Sequence, residues 1–477
     1  MNHVEDRRGA NKLDGLDRAA GSLNGQPKHL TVWAESPAVE SREPGWLKEV
    51  REQAGAALKV HGLPTRKSER WRLTPLKDLF AEPIQEAQVA SEVAVASSVP
   101  SEQSSWLHTV DGIPTTASVL LPGVRVLKLS EALQEDRLPP SSSFGFGTGD
   151  VLSSCFSHAA RREHFAALNS ARFVDAWVVL VEERAVLEKP LFVQHQIVSS
   201  RPTLAYPRLL VVAGASSQFS LVETLVQETS DASGLDSIAN SVSEVFLGPG
   251  AHMTHISIKA PASQTDASND DRVRVLSHIS VRQERDSKYQ NTALALGGRL
   301  NRLDLDVVLA GKGAECVLKG TMHAADGDHV ACYCEVDHAA SDCTSREEYR
   351  SVVDGNGHVV FNGTARVHRD AQRTEAHQDN RNLLRSDRAV VHTKPHLEID
   401  ADDVRCSHGA TVGSMDDEQL FYLRSRGLPD DQARALLTQA FVHEQVEHIP
   451  FEDVRLWVAD RMQKSMGLMT MTFEETS

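Results

Sequence analysis

Between about residues 173 and 410 the chain offers short β-rich runs and no amphipathic helix to interrupt them. "FVDAWVVLVEE", "PLFVQHQIV", "RLLVVAGA", "QFSLVETLVQ", "SVSEVFLG", "HMTHISIKA" and "DLDVVLAG" are such runs. Gly, Asn, Asp or Pro separates them every roughly 8 to 15 residues. Several joints are tight, among them "LGPGAH", "LAGKGAE" and "VDGNGH". A sheet of that length with short connections must be a sandwich, barrel, propeller or solenoid. The spacing is too loose for a strict repeat, so periodicity alone leaves the choice open.

The flanks have a different texture. Residues 1–28 are polar and rich in Gly and Asn, and read as a disordered extension. Residues 29–170 read as a helical region with a low-complexity linker. Trp46, Leu47, Val50, Ala54, Ala57 and Leu58 form a helical stripe that Gly62 and Pro64 end. "QEAQVASEVAVASSVPSEQSS" is the linker, and "LPPSSSFGFGTGD" (138–150) is a loop. The β core spans 171–412, and 413–477 read as a small helical unit. There Ser414 is the expected N-cap, with Asp416, Asp417 and Glu418 in the first turn. Gly427 stops that helix, and Ala433, Leu436, Leu437, Ala440 and Phe441 line one face of the next.

Composition narrows the function. The 477 residues carry a formal net charge of −16, which argues against a protein built to grip nucleic-acid phosphates. No run of about 20 apolar residues suggests a membrane span, and "MNHVEDRRGANKLDG" lacks the apolar segment of a signal peptide. Six cysteines (Cys155, Cys316, Cys332, Cys334, Cys343 and Cys406) are too sparse for a disulfide framework. Reduced thiols in the cytoplasm are the expectation.

Two groups of residues could carry chemistry. In "DDVRCSHGATVG", Cys406 and His408 stand two apart, so on a strand they face the same side. A neighbouring imidazolium would favour the thiolate, which is both nucleophile and metal ligand. The other reading is a buried thiol beside a hydrogen-bonded histidine, because one such pair is two ligands and not four. In "CYCEVDHAASDC", Cys332, Cys334, His338 and Cys343 could be four soft ligands of a self-sufficient metal site. Val330 and Val336 share the face of Cys332 and Cys334, and that pattern reads as an inward apolar row. No GK[ST] phosphate loop follows "GFGTGD", and GxSxG, HExxH and GxGxxG in a suitable context are missing. A β-helix carbohydrate-active enzyme is a further alternative, but it would carry paired carboxylates that this sequence does not display.

The run "AQRTEAHQDNRNLLRSDRAVVHTKPHLEIDADDVRCSHGATVGSMDDEQLFYLRSRGL" (371–428) resembles the SufB/SufD family of iron–sulfur cluster assembly proteins. "CSHGATVG" is like the SufD branch, since SufB-like chains tend to carry "HEA" at His408–Ala410. "GLPTRKSERWRLTPL" (62–76) resembles the N-terminal signature of the same branch. The resemblance implies a mainly β fold: a right-handed parallel β-helix flanked by N-terminal and C-terminal α-helical domains. It implies a non-catalytic scaffold that pairs with a SufB-like paralogue and binds a SufC-like ABC ATPase; whether the chain also forms a homodimer is left open by the sequence. The C-terminal helices, with Leu420, Phe421, Tyr422, Arg426, Leu436, Leu437 and Phe441, would dock that ATPase, and this chain would bind no nucleotide. A transient Fe–S cluster would form at the paralogue interface. The family's implicated histidine matches His408, with Cys406 beside it. Imidazole and thiolate are both iron ligands. The set Cys332, Cys334 and Cys343 is richer than the SufD pattern, and the first 28 residues lie outside the resemblance.

Overall fold

The computed structural model describes residues 43–79, 84–87, 105–134, 163–198, 202–227, 237–260 and 274–468. The expected disordered extension, the 138–150 loop and most of the low-complexity linker lie outside the described residues.

The β-rich runs form two long, mainly parallel sheets, and the chain alternates between them. Sheet A runs Trp177–Val181, Arg208–Ala213, Ile238–Leu247, Arg274–Gln283, Leu300–Leu309, His329–His338, His358–Val367 and Val390–Ile399. Sheet B runs Leu191–Ile197, Gln218–Gln227, His252–Lys259, Lys288–Leu296, Glu315–Ala324, Thr344–Val353, Thr374–Leu384 and Val404–Gly413. Parallel neighbours cannot be joined by a hairpin. Here each crossover is a strand of the opposite sheet, so the chain coils as a β-solenoid of about 7 turns.

Residues at one ladder position therefore stack from turn to turn. Leu303, Cys332, Phe361 and Thr393 form one such column. Alternate side chains point inward. Leu303, Leu305 and Val307 of sheet A share a continuous core with Tyr289, Leu318 and Tyr349 of sheet B. Corners bring successive turns into close contact. A Cβ on Gly311 would lie 2.0 Å from the backbone nitrogen of Arg285, so only glycine fits there. The repeat drifts along the molecule. Stacked partners are 36 residues apart at Ser241 and Ser277, but 29 apart at His329 and His358. The strands named above range from five residues at Trp177–Val181 to eleven at Thr374–Leu384 and the turns vary as well, so the sequence shows no fixed period.

The helices share their cores with the sheets. Leu47, Val50, Ala54 and Leu58 of helix Gly45–His61 pack with Phe165 and Leu168 of helix His164–Arg172 against Val178, Leu210 and Val212 of sheet A. Val442, Val454, Val458 and Met462 of the C-terminal helices, with Val446 in the turn between them, pack against Val222, Ile256, Ile258 and Leu294 of sheet B. The expected flanking helical domains are thus present only as a few helices laid on the outer faces of the solenoid. Within the segment read as helical, Ser105–Val110 and Ile113–Ser118 extend sheet B, and Val124–Lys128 extends sheet A. Helix Asp417–Ser425 is capped by Asp416, whose carboxylate accepts from the amides of Glu418 and Gln419. The cap is therefore Asp416 and not Ser414. Gly427 adopts φ +96° just beyond the helix, a conformation suited to glycine.

The N-terminal signature is a lock. Trp71 is buried, and the Arg302 guanidinium lies between its ring (3.7 Å to the centroid) and that of Tyr333 (4.0 Å). Arg302 also donates to both carboxylate oxygens of Asp304 (2.6 and 2.9 Å), to the Arg70 carbonyl (2.7 Å) and to Thr74 Oγ1 (3.1 Å). The buried charge is thus fully compensated.

Candidate functional site

Coverage ends at the last turn. Ile238–Leu247 and Leu300–Leu309 are buried at every residue, whereas Val390–Ile399 and Val404–Gly413 have no buried residue. Among the described residues, each of these last strands pairs on one side only, leaving two ten-residue edges unpaired. Such edges present free N–H and C=O groups to another chain.

Cys406 and His408 lie on this edge. The strand runs through both, in register with Ala376 and Gln378 of the preceding strand, which point into the solenoid. Thiol and imidazole therefore share the inward side of the edge strand. Cys406 is half-buried beside Val367, Ala371 and Ala401, and burial pushes its thiol up from the ordinary value, against a smaller opposing effect of the Ala376 backbone. It is held as a thiol and needs a cation or base to release its proton. His408 is exposed.

The second cysteine group is dispersed. Cys332 and Cys334 point inward with Val330 and Val336, their sulfurs 3.5 Å apart, and the Cys334 thiol donates to Tyr349 Oη at 3.0 Å. His338 Nε2 meets Ser345 Oγ at 2.9 Å, and the Cys343 thiol donates to the Gly311 carbonyl at 3.3 Å. Among the described residues no three His, Cys, Asp or Glu side chains are arranged to hold a metal ion. Burial raises the Cys334 and Cys316 thiols and lowers His338 to about 4, as befits neutral core groups.

Comparison with known proteins gives a direct answer. The SUF system FeS cluster assembly SufBD core domain matches residues 195–441, just over half of the chain. The chain belongs to the SufBD family. An iron–sulfur cluster assembly SufBD family protein of Synechocystis is 28% identical over 446 residues, 90% of this chain and 93% of its own. The iron–sulfur cluster assembly protein SufD of Escherichia coli is 28% identical over 406 residues, covering 84% and 89%. A SufBD family protein of Mycobacterium bovis reaches 35% identity over 215 residues, 43% of this chain and 54% of its own.

Within this SufBD fold, the residues read as a docking face divide. Phe421 and Tyr422 are exposed, with the Arg426 guanidinium 5.3 Å from the Tyr422 ring centroid. Leu420 is buried, Leu436 and Leu437 are half-buried, and Phe441 packs toward the C-terminal core on sheet B. No described helix is long and apolar enough to cross a membrane.

Two residues near the edge escaped the sequence reading. Gln378 stands between His408 and Glu347 in one column of sheet B, and its Nε2 donates to Glu347 Oε1 at 2.9 Å. Glu347 is fully buried, and burial pushes its carboxyl up to about 8, with Gln378 opposing only in part. It is therefore protonated at neutral pH.

Proposed function

We propose that this SufBD family chain is a SufD-like scaffold subunit of an ATP-driven iron–sulfur cluster assembly complex. Its bare edge pairs with a SufB-like paralogue, and the nascent cluster forms at that junction with Cys406 and His408 contributed from this side. The carrying observation is that thiol and imidazole sit on one side of the edge strand Val404–Gly413, which among the described residues pairs on one side only. Two ligands are half a set for iron, so the edge needs a second chain to complete it. In the same reading the solenoid winds right-handed and the chain has no catalytic activity of its own. It binds no nucleotide, and a SufC-like ABC ATPase docks on the exposed Phe421–Tyr422 surface. The complex works in the cytoplasm, and the same edge would let two copies self-pair when the paralogue is scarce. The Fe–S cluster is cargo, held transiently.

The test is a mild, anaerobic pull-down of the tagged chain from its own cells. An ABC-type ATPase and a paralogue in near-stoichiometric amounts are the expected result. A chain that emerges alone, under conditions that keep other complexes together, overturns the reading.

A further inference from the structure

Gln378 is a buried amide with one arm committed and one free. Nε2 donates to Glu347 Oε1 at 2.9 Å, on the strand before. Oε1 has no hydrogen-bond partner among the described residues, though Gln378 is only 5% exposed. A buried carbonyl oxygen without a donor is costly to maintain and calls for an explanation. The strand after is the open edge, and the residue in register with Gln378 on that strand is His408. Equivalent positions on neighbouring strands are about 4.8 Å apart, within reach of a glutamine and an imidazole.

Glu347 receives that amide through one carboxyl oxygen. Its own second oxygen faces Gly363 across the lumen, where a Cβ would come within 2.9 Å of Oε2. Glycine on sheet A thus makes room for a carboxyl on sheet B. The carboxyl's only hydrogen-bond partner among the described residues is Gln378. In the structure Nε2 faces Glu347 Oε1, and the amide Oε1 is left on the side of the edge strand.

We propose that Gln378, oriented by Glu347, is the positioning residue for His408: Oε1 accepts the N–H of one ring nitrogen and leaves the other nitrogen's lone pair facing out of the open edge. Histidines that hold metals commonly donate their second nitrogen to an oxygen in this way, which fixes tautomer and ring direction. The inference rests on the reading of His408 as part of the assembly site. It adds that the tautomer is selected from inside the solenoid and not by the partner.

Two measurements test it on the full chain and its native complex. The first is the ¹⁵N spectrum of the His408 ring in the full chain, in wild type, Gln378→Leu, Glu347→Leu and Glu347→Gln. Wild type and Glu347→Gln, whose amide oxygen can still accept, should show one dominant neutral tautomer with a slowly exchanging ring N–H. The two leucine variants should show the tautomer mixture of a free imidazole. Identical spectra in wild type and Gln378→Leu overturn the proposal. The second is cluster yield in the purified complex, as a double-mutant cycle. Gln378→Leu should lower the yield about tenfold, the scale for loss of an outer-shell partner, and have no further effect on top of His408→Ala. A Gln378→Leu loss that persists in the His408→Ala background makes Gln378 merely structural and overturns the proposal. If His408→Ala itself leaves yield unchanged, the assembly-site reading fails and takes this inference with it.

Discussion

The guanidinium of Arg302 lies 3.7 Å from the ring centre of Trp71, across a gap of more than 200 residues in sequence. That contact pins the N-terminal segment to the middle of sheet A. The same arginine holds Asp304 with two hydrogen bonds. Trp71 and Arg302 are therefore stability residues at some distance in the chain from Cys406 and His408.

Trp71→Ala should destabilise the chain by about 3–5 kcal/mol by leaving a cavity, and Arg302→Ala by about 2–4 kcal/mol, since Asp304 then keeps only Arg70 as its cationic partner. Urea unfolding of the full chain measures this. A loss below about 1 kcal/mol in both would mean that the segment is only loosely attached.

Glu347 predicts a pH dependence with a definite sign. Its folded-state value is raised to about 8, above the ordinary carboxyl value of about 4.5. Between those limits the folded state holds a proton that the unfolded state has released. Stability therefore falls as pH rises from about 4.5 to about 8. Glu347→Gln should abolish that slope and be more stable than wild type at pH 8, with the difference shrinking toward pH 4.5. Unfolding midpoints across this range decide it, and parallel curves would show that Glu347 is ionised in the fold.

His408→Ala should preserve fold and assembly and cut cluster yield at least tenfold. Cys406→Ser should do the same to a smaller degree, since burial keeps its thiol protonated in the chain alone. Absorbance of the reconstituted cluster, set against circular dichroism of the same samples, separates loss of site from loss of fold.

Phe421→Glu should detach the ATPase without unfolding the chain, because Phe421 is 73% exposed. Leu420→Glu is the contrasting variant. Leu420 is 5% exposed, so a charge there should lower the unfolding temperature as well. Size-exclusion chromatography with the ATPase partner, paired with thermal melts, distinguishes the two effects.

Much of this architecture is legible in the sequence, for identifiable reasons. Alternation along "HVACYCEV" marks Cys332 and Cys334 as inward residues, and their columns are indeed core. The stripe Leu47, Val50, Ala54, Leu58 marks a helix and its buried face. Topology was harder to read because the turn length drifts, and the family resemblance supplied what the spacing did not. The partners of the C-terminal helices were also hidden. A helical stripe says that Phe441 is covered, but not that the cover is sheet B. Glu347 was invisible for a sharper reason. It stands beside Glu348 in "SREEY", which reads as a solvated face. Only the register with Gln378, and the missing side chain at Gly363, reveal that one of the two points into the lumen.

The solenoid also has unlike ends. At one, the sheets finish in the antiparallel strands Ile113–Ser118, which contains Pro114, and Val124–Lys128, six and five residues long. At the other, two parallel strands of ten residues stand bare. A long edge pairs far better than a short strand broken by proline. Among the described residues the molecule thus has one long bare end and not two, so in the proposed pairing it would join a single neighbour end to end. Such an association would terminate at a pair, whereas a solenoid bare at both ends would grow into a fibre.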